Sequence, residues 1–209
     1  MGSRRLKKEI GRLLAQQNFE QSLAVIRKMP PRQAVSPLFG YFCDLDETVK
    51  WHAITAAGAL VADLARRDAE SARVVIRRLI WHLNDESGGI GWGCPEAMGE
   101  TLARSRAMAE EYWCMQTSYI QPGGNYLEHP MLQRGAVWGV GRLAHGRPQL
   151  LATCGGLMLP YMASDDAILR ATSVWAVIPL ATPELVPVLD KLTHDPASVR
   201  LYDGMAFNQ

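Results

Sequence analysis

Strand signals are scarce in this 209-residue chain. No alternation of apolar and polar residues is sustained, and no pair of strand-like runs is read across an Asn-Gly or Asp-Gly turn, which argues against a β-sandwich or barrel. Long apolar runs are missing as well. Nothing approaches the ~20 residues that a bilayer-crossing helix needs. No apolar signal core follows Arg4, Arg5, Lys7 and Lys8, and Leu6 stands where a myristoylation pattern requires Ser or Thr. The four cysteines, Cys43, Cys94, Cys114 and Cys154, include no C-x-x-C pair. Free thiols in a reducing cytoplasm are therefore expected. An excess of one charge is also lacking. Lys and Arg number 22 against 21 Asp and Glu, for a net charge of +1, which is not the profile of a strongly basic nucleic-acid binder.

What the chain does have is helical periodicity that repeats. Val49-Lys50-x-x-Ala53-x-x-Ala56-Ala57-Gly58-x-Leu60 returns as Leu132-Gln133-x-x-Ala136-x-x-Gly139-Val140-Gly141-x-Leu143. It returns again as Leu169-Arg170-x-x-Ser173-x-x-Ala176-Val177-Ile178-x-Leu180. A weaker copy aligns Gly93 with Val49 and carries Ala97, Glu100, Thr101 and Arg104. Val199-Arg200 begins a copy of which only the first part is present. Positions 0, +4, +7, +8 and +11 share one helical face, and the small residues at +4 and +7 permit close helix approach. Units of this length bury their stripes only by stacking. The fold class expected is all-α, a right-handed α-α superhelix of about five helix pairs, built as one domain over residues 1–209 with 1–45 a degenerate cap. Helices are expected over 4–16, 19–29, 32–43, 46–66, 69–84, 95–104, 106–120, 130–145, 147–162, 166–180, 183–193 and 196–206, with Asp44, Asp165 and Asp195 at or before caps.

This spacing resembles the HEAT repeat, in the bacterial form also found in phycobilisome-lyase-type proteins, and the likeness spans residues 45–209. The run from Asn84 to Glu100 resembles one in a small bacterial family of HEAT-like proteins to which no activity is assigned.

That run, Asn-Asp-Glu-Ser-Gly-Gly-Ile-Gly-Trp-Gly-Cys-Pro-Glu-Ala-Met-Gly-Glu, is where the repeat breaks its own rule. Gly88, Gly89, Gly91 and Gly93 permit positive φ. Pro95 opens a helix whose first turn holds Glu96, and Glu96 and Glu100 share a face. One reading makes Asn84, Asp85, Glu86, Trp92, Glu96 and Glu100 a binding site. The other makes the run an inter-repeat crossover in which Glu100 pairs with Arg104. The first expects Glu96→Ala, Glu100→Ala and Trp92→Ala to impair function at little cost in stability. The glycines are not a P-loop, because no Lys-Ser/Thr follows and no strand precedes.

Two further groups are candidates. Positions +2 and +6 carry Trp51, Arg134, Trp138 and Trp175, which places three tryptophans and an arginine along one face, either to hold a partner or to fill seams. Glu128-His129 begins a repeat helix after an irregular loop. Similar His-Glu pairs serve as iron ligands in deoxyhypusine hydroxylase, but that family needs several, and here one pair stands in reversed order. No metal and no cofactor are expected. Cys94 precedes Pro95 near a helix N-terminus, a place that lowers a thiol pKa, though no base adjoins it.

The function these features suggest is an interaction scaffold, with an acidic and aromatic groove for a protein or peptide partner. The acidic stretch over 85–128, seven carboxylates against Arg104 and Arg106, disfavours nucleic acid. The competing expectation is an enzyme resembling the HEAT-like alkylpurine DNA glycosylases, with Asp85 or Glu96 as the acid, Trp92 and Trp138 stacking on a base and Arg134 on phosphate. A third, by analogy of fold with the phycobilin lyases, is a tetrapyrrole- or cofactor-handling accessory protein.

Overall fold

Helix α4 (Glu47–Arg67) shows how the repeat is built. Asp46 caps it, its carboxylate accepting the Thr48 N–H at 2.8 Å, and from His52 to Leu64 every residue is buried. A helix buried all round needs neighbours on every side, and the remaining elements supply them. A computed structural model describes residues 3–84, 91–180 and 183–208. Before α4 lie α1 (Ser3–Leu14), α2 (Phe19–Ile26) and α3 (Pro31–Phe39). After it come α5 (Ala69–Leu83), α6 (Cys94–Arg104), α7 (Arg106–Ser118), α8 (Pro130–Gly146), a short α9 (Leu159–Met162), α10 (Ala167–Val177) and α11 (Val186–Leu192). Helices α4, α6, α8 and α10 pack side by side in one layer, while α5 and α7 pack behind it. The chain is an all-helical repeat solenoid.

The stripe read from the sequence is the core. Ala53, Ala56 and Leu60 of α4, Ala97 of α6, Ala136 and Leu143 of α8, and Ala176 of α10 are almost wholly shielded from water. The seam between α6 and α8 is closest of all: a Cβ placed on Gly99 would lie 2.3 Å from the carbonyl oxygen of Gly139. Large side chains at that crossing would push the helices apart and open the core.

Two helix expectations needed correction. The helix expected over 147–162 is broken into 3-10 turns at Pro148–Leu151 and Gly155–Met158, followed by the four-residue α9. Gly155-Gly156 carries a high helical entropy cost, and Pro160 offers no N–H to the turn before it. Asp44 and Asp165 do stand before caps, two residues ahead of Asp46 on α4 and one ahead of Asp166 on α10, and Asp44 accepts the Asp46 N–H at 3.0 Å.

The largest change concerns residues 196–206, which form no helix. After an irregular stretch, Leu201–Tyr202 (β1) pairs antiparallel with Phe207–Asn208 (β2), Tyr202 opposite Phe207. The turn between them holds Gly204 at φ +98°, and Asp203 Oδ1 accepts the N–H groups of Met205 and Ala206 at 2.8 and 2.9 Å. A helix begun at Asp195 would meet Gly204 after about two turns, too short to stand without a stacked neighbour. Asp203-Gly204 is a hairpin signal that the helical reading passed over.

Among the described residues no helix is long and apolar enough to cross a membrane.

Candidate functional site

The hairpin lies across the layer of α4, α6, α8 and α10. Trp138, at position +6 of α8, donates its indole N–H to the carbonyl of Tyr202 at 2.5 Å. The Tyr202 ring stacks 4.9 Å from Trp51 of α4 at 21° and 6.4 Å from Trp138 at 30°. Its hydroxyl meets Thr55 Oγ1 at 3.1 Å. Burial pushes the Tyr202 phenol up to about 12, so it stays protonated and available as a donor. Trp51 and Trp138 are themselves 4.7 Å apart across α6, where Gly99 contributes no side chain. The aromatic row continues to Trp175, 5.8 Å from Trp138, and to His145, which stacks on Trp175 at 4.5 Å. The tryptophans of the +2 and +6 positions do line one face, and the chain's own hairpin sits on it.

Beside the hairpin the face is open. A cleft of about 1060 Å³ runs between the hairpin and the α1–α2 connection, its floor formed by Val49, His52 and Thr55, its walls by Phe19, Leu23, Arg104, Tyr202 and Met205. His52 lies flat against Phe19 at 3.7 Å, and its Nδ1 stands 2.7 Å from the Leu14 carbonyl oxygen. Burial holds its pKa below the usual histidine range. Met205, at the tip of the hairpin, is 85% exposed, and Leu45 beside the cap of α4 projects fully into solvent. The lining is mixed: Phe19, Leu23 and Met205 are apolar, Glu20 and Asp46 are acidic, and Arg104 is its one guanidinium.

Of the four carboxylates of the Asn84–Glu100 run, Glu96 and Glu100 are inside the fold. Glu100 is wholly buried; it pairs with Arg104 and accepts Arg142 Nε of α8 at 2.5 Å. It occupies position +7, where the other copies carry Ala56, Gly139 and Ala176, and Gly58 of α4 makes the room: a Cβ there would fall 2.4 Å from Glu100 Cγ. Glu96 points the other way, toward α8, where a Cβ on Gly135 would fall 2.5 Å from its carboxylate. Its Oε1 stands 3.9 Å from Lys50 Nζ, beyond hydrogen-bond reach, and among the described residues its Oε2 has no hydrogen-bond partner. Burial therefore raises its pKa, with Lys50 opposing only in part. Glu96 and Glu100 therefore face the interior and not a groove.

The other sequence candidates are placed as follows. Trp92 meets His129 edge-on at 4.9 Å, and His129 caps α8, its Nδ1 accepting the Met131 N–H at 3.2 Å. Glu128 and Asn84 are exposed, Asn84 closing α5 through its N–H to the Trp81 carbonyl. Arg134 is bound to Asp166, the cap of α10, at 2.6 Å, and Arg170 repeats that arrangement with Asp195. Asp85 and Glu86 lie outside the described residues. Of the eight candidates that are described, none lines the 1060 Å³ cleft. Of the residues assigned to acid, stacking and phosphate roles in the glycosylase reading, Glu96 and Trp138 are buried and Arg134 is held by Asp166. Cys94 is buried, and burial pushes its thiol well above the ordinary range, outweighing the lowering that a helix N-terminus can give. Among the described residues no three His, Cys, Asp or Glu side chains gather as a metal-ligand set.

The residues that sequence reasoning missed are Tyr202, Thr55, His52 and Arg142. Thr55 was in register for discovery, since it holds the +6 position of its own copy. Tyr202 was signalled only by the Asp-Gly that follows it.

No family model matches this sequence, and none of the curated proteins is significantly similar to it. Solved structures do resemble it. The crystal structure of an engineered protein superposes with a TM-score of 0.53 over 94% of this chain and 91% of that one, at 14% identity. A designed armadillo repeat protein gives 0.45 over 82% of this chain and 80% of its own, at 16% identity. The first likeness is one of fold, and it agrees with the helical repeats described above.

Proposed function

We propose that this chain is a cytoplasmic HEAT-like scaffold, of the bacterial kind its repeats resemble, that binds an extended segment of a protein partner along the face of α4, α6, α8 and α10. One observation carries the reading. The face already holds an extended segment, the chain's own hairpin, through an indole-to-backbone hydrogen bond and ring stacking, which are recognition contacts of a peptide groove. The open cleft continues that surface, and its volume of about 1060 Å³ lies just above the ~300–1000 Å³ usual for small-molecule pockets. Repeat solenoids present such faces because every unit adds a helix to the same layer. The partner's contacts fall to Phe19, Leu23, His52, Thr55 and Arg104, and no cofactor is required.

The test is affinity capture from source-cell lysate with the intact protein and with Thr48→Trp, which fills the cleft from its rim. A protein recovered by the first, lost with the second and cross-linked to a photoreactive group at Arg104 supports the reading. Equal recovery by both, or a small molecule retained in native mass spectrometry with no protein bound, contradicts it.

A further inference from the structure

The hairpin is attached to the helices as a ligand is attached to a receptor. Its internal order is its own: Asp203 N–H bonds to the Ala206 carbonyl at 3.1 Å, Asp203 Oδ1 caps the turn, and Asn208 Nδ2 reaches Asp203 Oδ2 at 2.8 Å. Arg200 lies over the Phe207 ring at 3.9 Å, and Phe207 meets Tyr202 edge-on at 5.3 Å. The unit is thus a preformed turn that presents Tyr202 to the helices. What the helices give it is a fitted seat: Trp51 beneath the ring, the Trp138 indole on the backbone carbonyl and Thr55 at the hydroxyl. The seat selects by chemistry. Phenylalanine would leave Thr55 unmatched, and a helical segment would commit the carbonyl that Trp138 needs to its own helix. The stretch 195–200 that leads to it has no regular structure, so the tether can release the turn without unravelling a helix. The seat is also continuous with the open cleft, which Tyr202, Gly204, Met205 and Ala206 wall on one side.

From this geometry we infer that the Tyr202 seat is a recognition site for a tyrosine-bearing extended segment of the partner, and that the 201–208 hairpin is its tethered occupant, displaced on binding. The inference rests on the scaffold reading and specifies the partner. A short tether keeps its occupant at an effective concentration in the millimolar range, so the seat stays closed to weak or mismatched segments. A partner gains entry by docking first in the cleft and then substituting its own tyrosine.

The experiment uses the full chain with a protease recognition sequence substituted over residues 196–200, before and after cutting, and a dye-labelled peptide of residues 201–208 followed by anisotropy. The cut protein should take up the peptide, the same peptide with alanine for tyrosine should bind roughly tenfold or more weakly, and the uncut protein should be similarly resistant because its tethered copy competes. The intact variant Tyr202→Ala is the second arm and should accept the tyrosine peptide as the cut protein does. Equal binding of the tyrosine and alanine peptides overturns the inference. So does a cut fragment that exchanges only when the whole protein melts, and so does uptake by neither the cut protein nor Tyr202→Ala. If a captured partner binds wild type and Tyr202→Ala with equal affinity, displacement fails while the cleft reading stands.

Discussion

Gly58 of α4 lies against Glu100 of α6 so closely that a Cβ would come within 2.4 Å of Glu100 Cγ and 2.8 Å of its Cβ. The mirror relationship holds on the other side of α6, where Gly135 of α8 admits the carboxylate of Glu96. Each acidic residue of the pair is thus accommodated by a glycine in a different neighbouring helix.

The first prediction follows from that contact. Gly58→Ala ought to gain about 1 kcal/mol from helix propensity alone. Overpacking against Glu100 should reverse the sign and cost about 1–3 kcal/mol. In a Glu100→Ala background the Cγ contact is gone but the residue-100 Cβ still lies 2.8 Å away, so the same change should cost less than in the wild type without becoming free. Urea denaturation of the four proteins of this cycle measures the coupling, and simple additivity would show that Gly58 and Glu100 are not in contact. Glu100→Ala by itself should cost about 3–5 kcal/mol, because it strands Arg104 and Arg142 without their buried partner. It is a poor probe of function for the same reason.

The second concerns pH. Glu96 has a folded pKa above its ordinary value of 4.5, driven by burial, with Lys50 of α4 opposing, Cys94 its titratable neighbour on α6 and Gly135 of α8 adding no charge. A raised folded pKa means that the stabilisation is complete below about 4.5 and is lost as pH rises through the folded value. Glu96→Gln imitates the protonated form. Its melting temperature relative to wild type should therefore climb between pH 4 and pH 8. A relative melting temperature that falls over the same range would show that the Lys50 pair outweighs burial.

Thiol reactivity gives the third. Cys43 and Cys114 are exposed, Cys154 is partly covered and Cys94 is buried, with its thiol held protonated by burial and by the nearby Glu96. Ellman's reagent should label two cysteines promptly in the native protein, a third slowly, and Cys94 only on unfolding. Fast labelling of Cys94, identified by mass spectrometry, would contradict its placement.

How much of this was legible in the sequence divides along physical lines. The stripe at 0, +4, +7 and +11 was readable because apolar and small residues recur there in helical period, and Leu60, Ala136 and Leu143 are core as that period requires. The row at +2 and +6 was readable too, and Trp51, Trp138 and Trp175 do form one aromatic line. Glu100 was not, because a carboxylate at a core position is explained by residues far away in sequence: Gly58, which vacates the volume, and Arg142, which neutralises the charge. Residues 196–206 misled for a different reason. Asp195 and Pro196 are sound helix-start signals, but their helix would meet Gly204 after about two turns, whereas Tyr202 gains a buried seat by turning back.

The most direct measurement is hydrogen exchange at the tryptophan indole N–H groups, resolved by NMR. The Trp138 indole, bonded to the Tyr202 carbonyl and 2% exposed, should be strongly protected in the wild-type protein. In Tyr202→Ala it should exchange at a rate approaching that of the exposed Trp81. Fast exchange at Trp138 in the wild type would mean that the hairpin does not occupy the aromatic face, and protection unchanged in Tyr202→Ala would mean that the Tyr202 ring is not what seats it.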